Sequence, residues 1–186
     1  ANKELIKNTE HSINGNIDDT AVINGNVVVE EGAKVRENTV VDGPAIIKSG
    51  AKIGPDAYLR EGTVIHKNTE IGNSEVKNAV IREGSAAPHF NYVGDSYIGK
   101  DANLGGGVKT ANLRNDDATV RMMVKEELID TGMRKMGAII GSGAKIGVNC
   151  SIKPGRKIGY KASVDSGEKV EKNVPNGRTW KDGDLV

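Results

Sequence analysis

From Ile17 to Ile71 a large aliphatic residue returns at every sixth position: Ile17, Ile23, Val29, Val35, Val41, Ile47, Ile53, Leu59, Ile65 and Ile71. A second track runs four residues behind the first and is made almost wholly of small residues: Ala21, Val27, Ala33, Thr39, Ala45, Ala51, Ala57, Thr63 and Thr69. One residue earlier stand Asn26, Gly32, Asn38, Gly50, Asp56, Gly62 and Asn68, residue types that tolerate a positive φ. A period of six is neither that of a helix nor that of a simple strand. It fits a short strand followed by a tight corner, with the aliphatic and the small residue both pointing into a narrow interior. Such a repeat marks a parallel β-helix, in which three hexads close a triangular coil of about 18 residues. Successive coils then stack about 4.8 Å apart, the ordinary strand spacing. The period leaves the hand of the coil open.

Composition agrees with a narrow prism. Only 3% of the 186 residues are aromatic, against 24 glycines, and a core lined by Ile, Val and Ala has no room for large rings. A solenoid grows by stacking, so one elongated domain is expected. The formal charge is +1, from 26 basic and 25 acidic residues, which gives no electrostatic case for nucleic acid or an anionic membrane. No long apolar run suggests a membrane span. The single cysteine, Cys150, falls on the small-residue track and reads as core packing. One cysteine allows no internal disulfide framework, which points to a reducing, cytoplasmic setting.

The repeat assigns residues 17–175 to the coil. Residues 1–16 read as a linker or short helix following an absent N-terminal domain, and 176–186 as a C-terminal tail whose Trp180 caps the prism. The sixfold phase calls for an aliphatic at position 77 and meets Lys77. Ile98 and Leu104 bring the pattern back out of phase. Between Lys77 and Ile98 lies Ser85-Ala86-Ala87-Pro88-His89-Phe90-Asn91-Tyr92, whose histidine and aromatics suggest a functional loop. Gly105-Gly106-Gly107 follows, a place where a ligand can approach the backbone or the chain can turn sharply. The repeat is lost over 111–138, where a hairpin around Lys125-Glu126 projects, and regular coils resume at Ile140.

The run Ala87-Pro88-His89-Phe90-Asn91-Tyr92-Val93-Gly94-Asp95-Ser96-Tyr97-Ile98-Gly99, with Asn103-Leu104-Gly105-Gly106-Gly107 and Thr110-Ala111-Asn112, resembles the acetyltransferase domain of the bifunctional glucosamine-1-phosphate acetyltransferase/uridylyltransferases. The projecting hairpin and Arg134-Lys135-Met136-Gly137-Ala138 are more similar to the archaeal sugar-1-phosphate nucleotidylyltransferase/acetyltransferases. The resemblance implies an all-β, left-handed parallel β-helix of the hexapeptide-repeat acyltransferases. It implies a homotrimer with active sites in the grooves between chains. It also implies acetyl-CoA as cosubstrate with no metal required, and an amino-sugar 1-phosphate (glucosamine-1-phosphate or its galacto epimer) as acceptor, on the way to UDP-N-acetylhexosamine.

Residue by residue, the resemblance makes His89 the general base and places Asn112 beside the reacting amine. It puts Arg60 and Lys77 on the sugar phosphate, and Tyr92 and Asn103 on the sugar. Gly106 stands where a backbone N–H helps to hold the thioester, and the bacterial pattern has alanine there. Lys135 matches a lysine supplied across the interface, and Arg178 a contact to the CoA phosphate. The chemistry suits these types: transfer to an amine needs a base for its proton and donors for the developing oxyanion. Histidine titrates near neutrality, and arginine can grip a phosphate with a two-pronged fork. The alternative is a non-catalytic module that only trimerises a nucleotidylyltransferase. A zinc site of the γ-carbonic-anhydrase type would need His11, His66 and His89 to converge, and His11 precedes the repeat.

Overall fold

The computed structural model describes residues 6–186, and it is a stack of coils with three flat faces. Residues 1–5 of the expected linker or helix lie outside the described residues; beyond them a single turn closes from Thr9 N–H to the Ile6 carbonyl (3.0 Å). The first face stacks Asn16–Ile17, Lys34–Val35, Lys52–Ile53 and the start of Glu70–Lys77, and continues to Thr179–Lys181. The second stacks Val22–Asn24, Val40–Asp42, Tyr58–Leu59, the end of Glu70–Lys77, the end of Ala86–Gly94, and then Lys109–Thr110. The third runs from Ser12–Ile13 through Val27–Val29, Ala45–Ile47 and Thr63–Ile65 to Lys157–Ile158. Every coil-to-coil pairing is parallel, and in the first coils each aliphatic sits on the like residue of the coil before it, as Ile65 does on Ile47.

The sixfold series is the interior. Val29, Val41, Ile47, Ile53, Leu59, Ile65 and Ile71 are all fully buried, with Ala33, Ala45 and Ala51 filling the space beside them. The corners turn where expected, with positive φ at Gly32, Asn38, Gly50, Asp56, Gly62 and Asn68; near Asn26, Gly25 takes that role instead. Cys150 is buried, and the same burial pushes its thiol pKa up. The projecting hairpin pairs Arg121–Val124 with Glu127–Asp130 through Lys125 and Glu126, both at positive φ, as a two-residue turn matched to strand twist requires.

Four features differ from the sequence reading. Coil pairing begins at Ser12, where Ser12–Ile13 lies on Val28–Val29, before the aliphatic series is established. The last residues are part of the coil too. Trp180 stacks on Val164, is 1% exposed and closes the prism, while Asp184–Leu185 folds back antiparallel on it and covers the edge. The third difference bears on function. Lys77 does not displace a core aliphatic, because Leu59 pairs with Val76, which is fully buried.

The coil has shed a residue at its corner, so counting by six overshoots by one. Nor is 85–92 a loop. Ala86–Gly94 is a continuous strand along Glu70–Lys77, with one bulge between the Asn73↔His89 and Glu75↔Tyr92 pairs. Phe90 takes φ +51° there. The buried Ser74 hydroxyl holds the bulge, donating to the Ala87 carbonyl (2.9 Å) and accepting from Asn91 N–H (3.0 Å). The rungs continue inside while the outer contour contracts.

If the stacked aliphatics hold the prism, Ile65→Ala should lower the unfolding free energy by about 2–5 kcal/mol. Lys52→Ala, on the exposed side of the same coils, should stay within about 0.5 kcal/mol. Denaturant unfolding of the two variants checks this.

Candidate active site

Shortening the coil brings charged and polar side chains together along the second face and the corner after it. Arg60 and Lys77 occupy equivalent places after Leu59 and Val76, and Gly94 stands opposite Lys77 in the following coil. Between them the outward row Tyr58, Glu75, Tyr92, Lys109 climbs the face. Arg60 donates from Nη1 to Glu75 Oε1 (2.9 Å) and lies 5.8 Å from the Tyr58 ring centroid. That hydrogen bond, first among its causes, raises the guanidinium pKa and keeps it charged. Arg60 Nε is buried with no partner among the described residues.

At the corner the organising group is Asp95. Its carboxylate, 9% exposed, accepts from Asn78 Nδ2 (2.7 Å) and from Asn112 Nδ2, and lies 3.6 Å from Lys77 Nζ. Asn112 Nδ2 also donates to the Tyr92 hydroxyl (3.1 Å). Burial pushes the Tyr92 phenol pKa up, so Tyr92 stays a neutral hydroxyl. Gly94 allows this closeness: a Cβ there would lie 2.6 Å from the Tyr92 hydroxyl and 2.8 Å from Asn112 Nδ2. The return of the projecting loop locks onto the same corner, with Met136 N–H donating to the Asn112 carbonyl (2.8 Å) and Gly137 N–H to the Asp95 carbonyl (2.9 Å).

Of the expected residues, the structure gathers Arg60, Lys77, Tyr92 and Asn112 here. Lys135, exposed, borders a cleft of about 220 Å³ on the other side of this corner, shared with Asn78, Asp95, Tyr97 and Met133. His89 and Gly106 meet at the opposite edge of the second face, just before the bulge. A Cβ on Gly106 would sit 3.4 Å from the His89 Cβ, and Gly107 N–H donates to the His89 carbonyl (2.8 Å). The His89 imidazole is exposed and takes no hydrogen bond among the described residues, and the Gly106 N–H donates to no group there.

Asn103 lies on the first face between Ala86 and Lys145, exposed. Arg178 is not brought to either cluster. It flanks Thr179, which is separated from Asn103 by Lys145 and Ser163, and its Nε donates to the Val186 carbonyl (3.1 Å). The other histidines stand elsewhere: His11 accepts from Val27 N–H (3.4 Å), and His66 faces Glu83 (3.8 Å). Among the described residues no group of three or more His, Cys, Asp or Glu forms a metal cluster, and no helix is long and apolar enough to cross a membrane.

Sequence reasoning missed Glu75 and Asp95. Asp95 sits at φ +47°, as Asp56 and Asp101 do at their corners, so from sequence it looks like another turn former. Its signal was the company of Lys77, Asn78 and Asn112, which only the register reveals. A larger cleft, about 700 Å³, lies between the projecting loop and the coil, with Arg114, Arg121, Lys153, Arg156 and Lys169 on its walls. None of the expected residues lines it, and its cations are partly answered by Asp116 and Glu171.

Replacing Gly94 by Ala should force Tyr92 and Asn112 apart, lower the unfolding free energy by about 1–3 kcal/mol and return the Tyr92 titration toward that of an ordinary phenol. Gly106→Ala, whose Cβ finds ordinary contact, should cost less than about 0.5 kcal/mol. Denaturant unfolding and spectrophotometric tyrosine titration measure both.

No protein-family model matches the chain. The chain is 43% identical over 182 residues to a bifunctional sugar-1-phosphate nucleotidylyltransferase/acetyltransferase of Sulfurisphaera tokodaii, covering 97% of this chain and 45% of that protein. It is 47% identical over 156 residues to the bifunctional protein GlmU of Methanocaldococcus jannaschii, covering 83% of this chain and 38% of that protein. It thus spans less than half the length of these curated relatives. Among solved structures, a UDP-N-acetylglucosamine acyltransferase of Francisella novicida superposes with a TM-score of 0.69 at 16% identity, over 96% of this chain and 67% of that one. The coil is therefore a left-handed parallel β-helix, and the chain is homologous to part of the bifunctional sugar-1-phosphate nucleotidylyltransferase/acetyltransferases.

Proposed function

We propose that the chain transfers the acetyl group of acetyl-CoA to the amine of an amino-sugar 1-phosphate, glucosamine-1-phosphate or its galacto epimer. The observation that carries this reading is the convergence of Arg60, Lys77, Tyr92 and Asn112 along one face and its corner, with the His89 imidazole and the Gly106 N–H, unpaired among the described residues, at the other edge of that face. Arg60 and Lys77 hold the phosphate. Tyr92 and Asn103 contact the sugar. The amine nitrogen attacks the thioester carbonyl, His89 takes the proton that nitrogen loses, and Gly106 N–H steadies the oxyanion. Collapse breaks the C–S bond, and the proton passes from His89 to the departing thiolate. Acetyl-CoA is consumed as a cosubstrate, and no step in this sequence calls for a metal. The names of the relatives support acyl transfer on a sugar phosphate.

The reading includes a homotrimer, with Lys135 reaching a neighbouring chain's substrate and Arg178 near the CoA phosphate. Its support is the third face, whose outward row is apolar from Val28 through Ile46, Val64, Val80 and Tyr97 to Ile139, with Ser12 before it and Lys157 after it. The first face instead presents Lys34, Lys52, Glu70, Asn103 and Lys145. An apolar row of this length marks an association surface.

Two outcomes are expected. His89→Ala should cut thiol release from acetyl-CoA with glucosamine-1-phosphate by about 10²–10⁴-fold while leaving the melting temperature unchanged. No release by the unaltered chain, and no acetyl-CoA binding, would favour the trimerisation module. Ile46→Glu should convert the trimer to monomer in light scattering and abolish turnover. A monomer with full turnover before substitution would contradict the inter-chain groove.

A further inference from the structure

We propose that Asp95 is a positioning residue that fixes which end of the Asn112 amide faces the acceptor. The proposal rests on the reading above, in which Asn112 borders the reacting amine. An ionised carboxylate accepts hydrogen bonds and donates none, so an amide held against it must present its NH₂ end. Asp95 is nine-tenths buried, and among the described residues its two oxygens meet only donors: Asn78 Nδ2, Asn112 Nδ2 and Lys77 Nζ. The second Asn112 N–H is used by the Tyr92 hydroxyl (3.1 Å). With both N–H groups committed, Asn112 offers outward only its carbonyl Oδ1, which accepts nothing among the described residues.

That oxygen is an acceptor suited to an N–H of the incoming amine. It would orient the nitrogen lone pair toward the thioester and hold a hydrogen while His89 takes the other. A flipped amide would present a donor and repel the same group. The corner is built to keep the carboxylate in place: Asp95 N–H donates to the Lys77 carbonyl (2.8 Å), and the Asp95 carbonyl accepts from Gly137 N–H (2.9 Å). Loop return, preceding coil and amide orientation are thus set by one residue.

A double-mutant cycle tests this, read as kcat and KM for acetyl transfer to glucosamine-1-phosphate. Asp95→Asn should lower kcat about 10- to 100-fold, with KM for acetyl-CoA little changed. In an Asn112→Ala background it should lower kcat by less than about threefold, because the group it positions is gone. Equal losses in both backgrounds would mean a general structural role and overturn the proposal. So would an undiminished Asp95→Asn enzyme. The exchanged pair, Asp95→Asn with Asn112→Asp, keeps the charge, the hydrogen bond and an outward acceptor, and serves if the single variant does not fold. Its kcat should exceed that of Asn112→Ala about tenfold, and a kcat no better than Asn112→Ala overturns the proposal. No transfer by the unaltered chain would overturn the acetyltransferase reading itself, whereas normal transfer insensitive to Asp95→Asn would overturn this inference alone.

Discussion

The structure depends on in-register stacking of like aliphatic residues inside a narrow prism. Most inward Ile, Leu and Val residues meet like residues in the coils above and below, while Ile71 meets Ala87 and Val93 meets Thr110, and the cross-section leaves space beside them only for Ala, Thr, Cys or Val. Interiors packed at crystal-like density transmit a change of one methylene. The interior therefore tolerates little variation, and the chain adjusts its length at corners. Coils of full length before the site, shorter coils through it and full-length coils after it all keep their rungs.

Function grows from that economy. By shedding a residue near Ser74 and adding a bulge at Phe90, the chain brings Lys77 beneath Gly94 and swings Tyr92 toward Asn112 without opening the core. The missing side chain at Gly94 and the carboxylate of Asp95 complete the arrangement. The cations that would bind phosphate are each restrained by a carboxylate, Arg60 by Glu75 and Lys77 by Asp95. Lys77 and Asp95 are mostly shielded from solvent, whereas Arg60 and Glu75 are about one-third exposed, and in the proposed function both pairs form a preorganised socket.

Much of this was legible from sequence, and the reasons differ by residue. The hexads gave the interior because burial in a coil is strictly periodic, and the corner residues followed from their φ requirements. Lys77 was noticed for a mistaken reason: the count by six could not see a deleted corner residue, so a flanking lysine looked like a lost rung. Arg60, His89 and Asn112 were reached through resemblance to a family rather than by pattern. Asp95 and Glu75 escaped because their importance lies in neighbours that are sequence-distant and only register makes adjacent. Trp180 was recognised as a cap because the open end of the prism has to be covered.

The most direct test is a structure of the assembled protein with CoA and glucosamine-1-phosphate bound. The expected result puts the sugar phosphate between Arg60 and Lys77, the amine against Asn112 Oδ1 and the thiol sulfur beside His89 and Gly106, in a groove closed by a second chain. Ligands lodged instead in the cleft of Arg114, Arg121 and Lys153, with the Asp95 corner untouched, would contradict it.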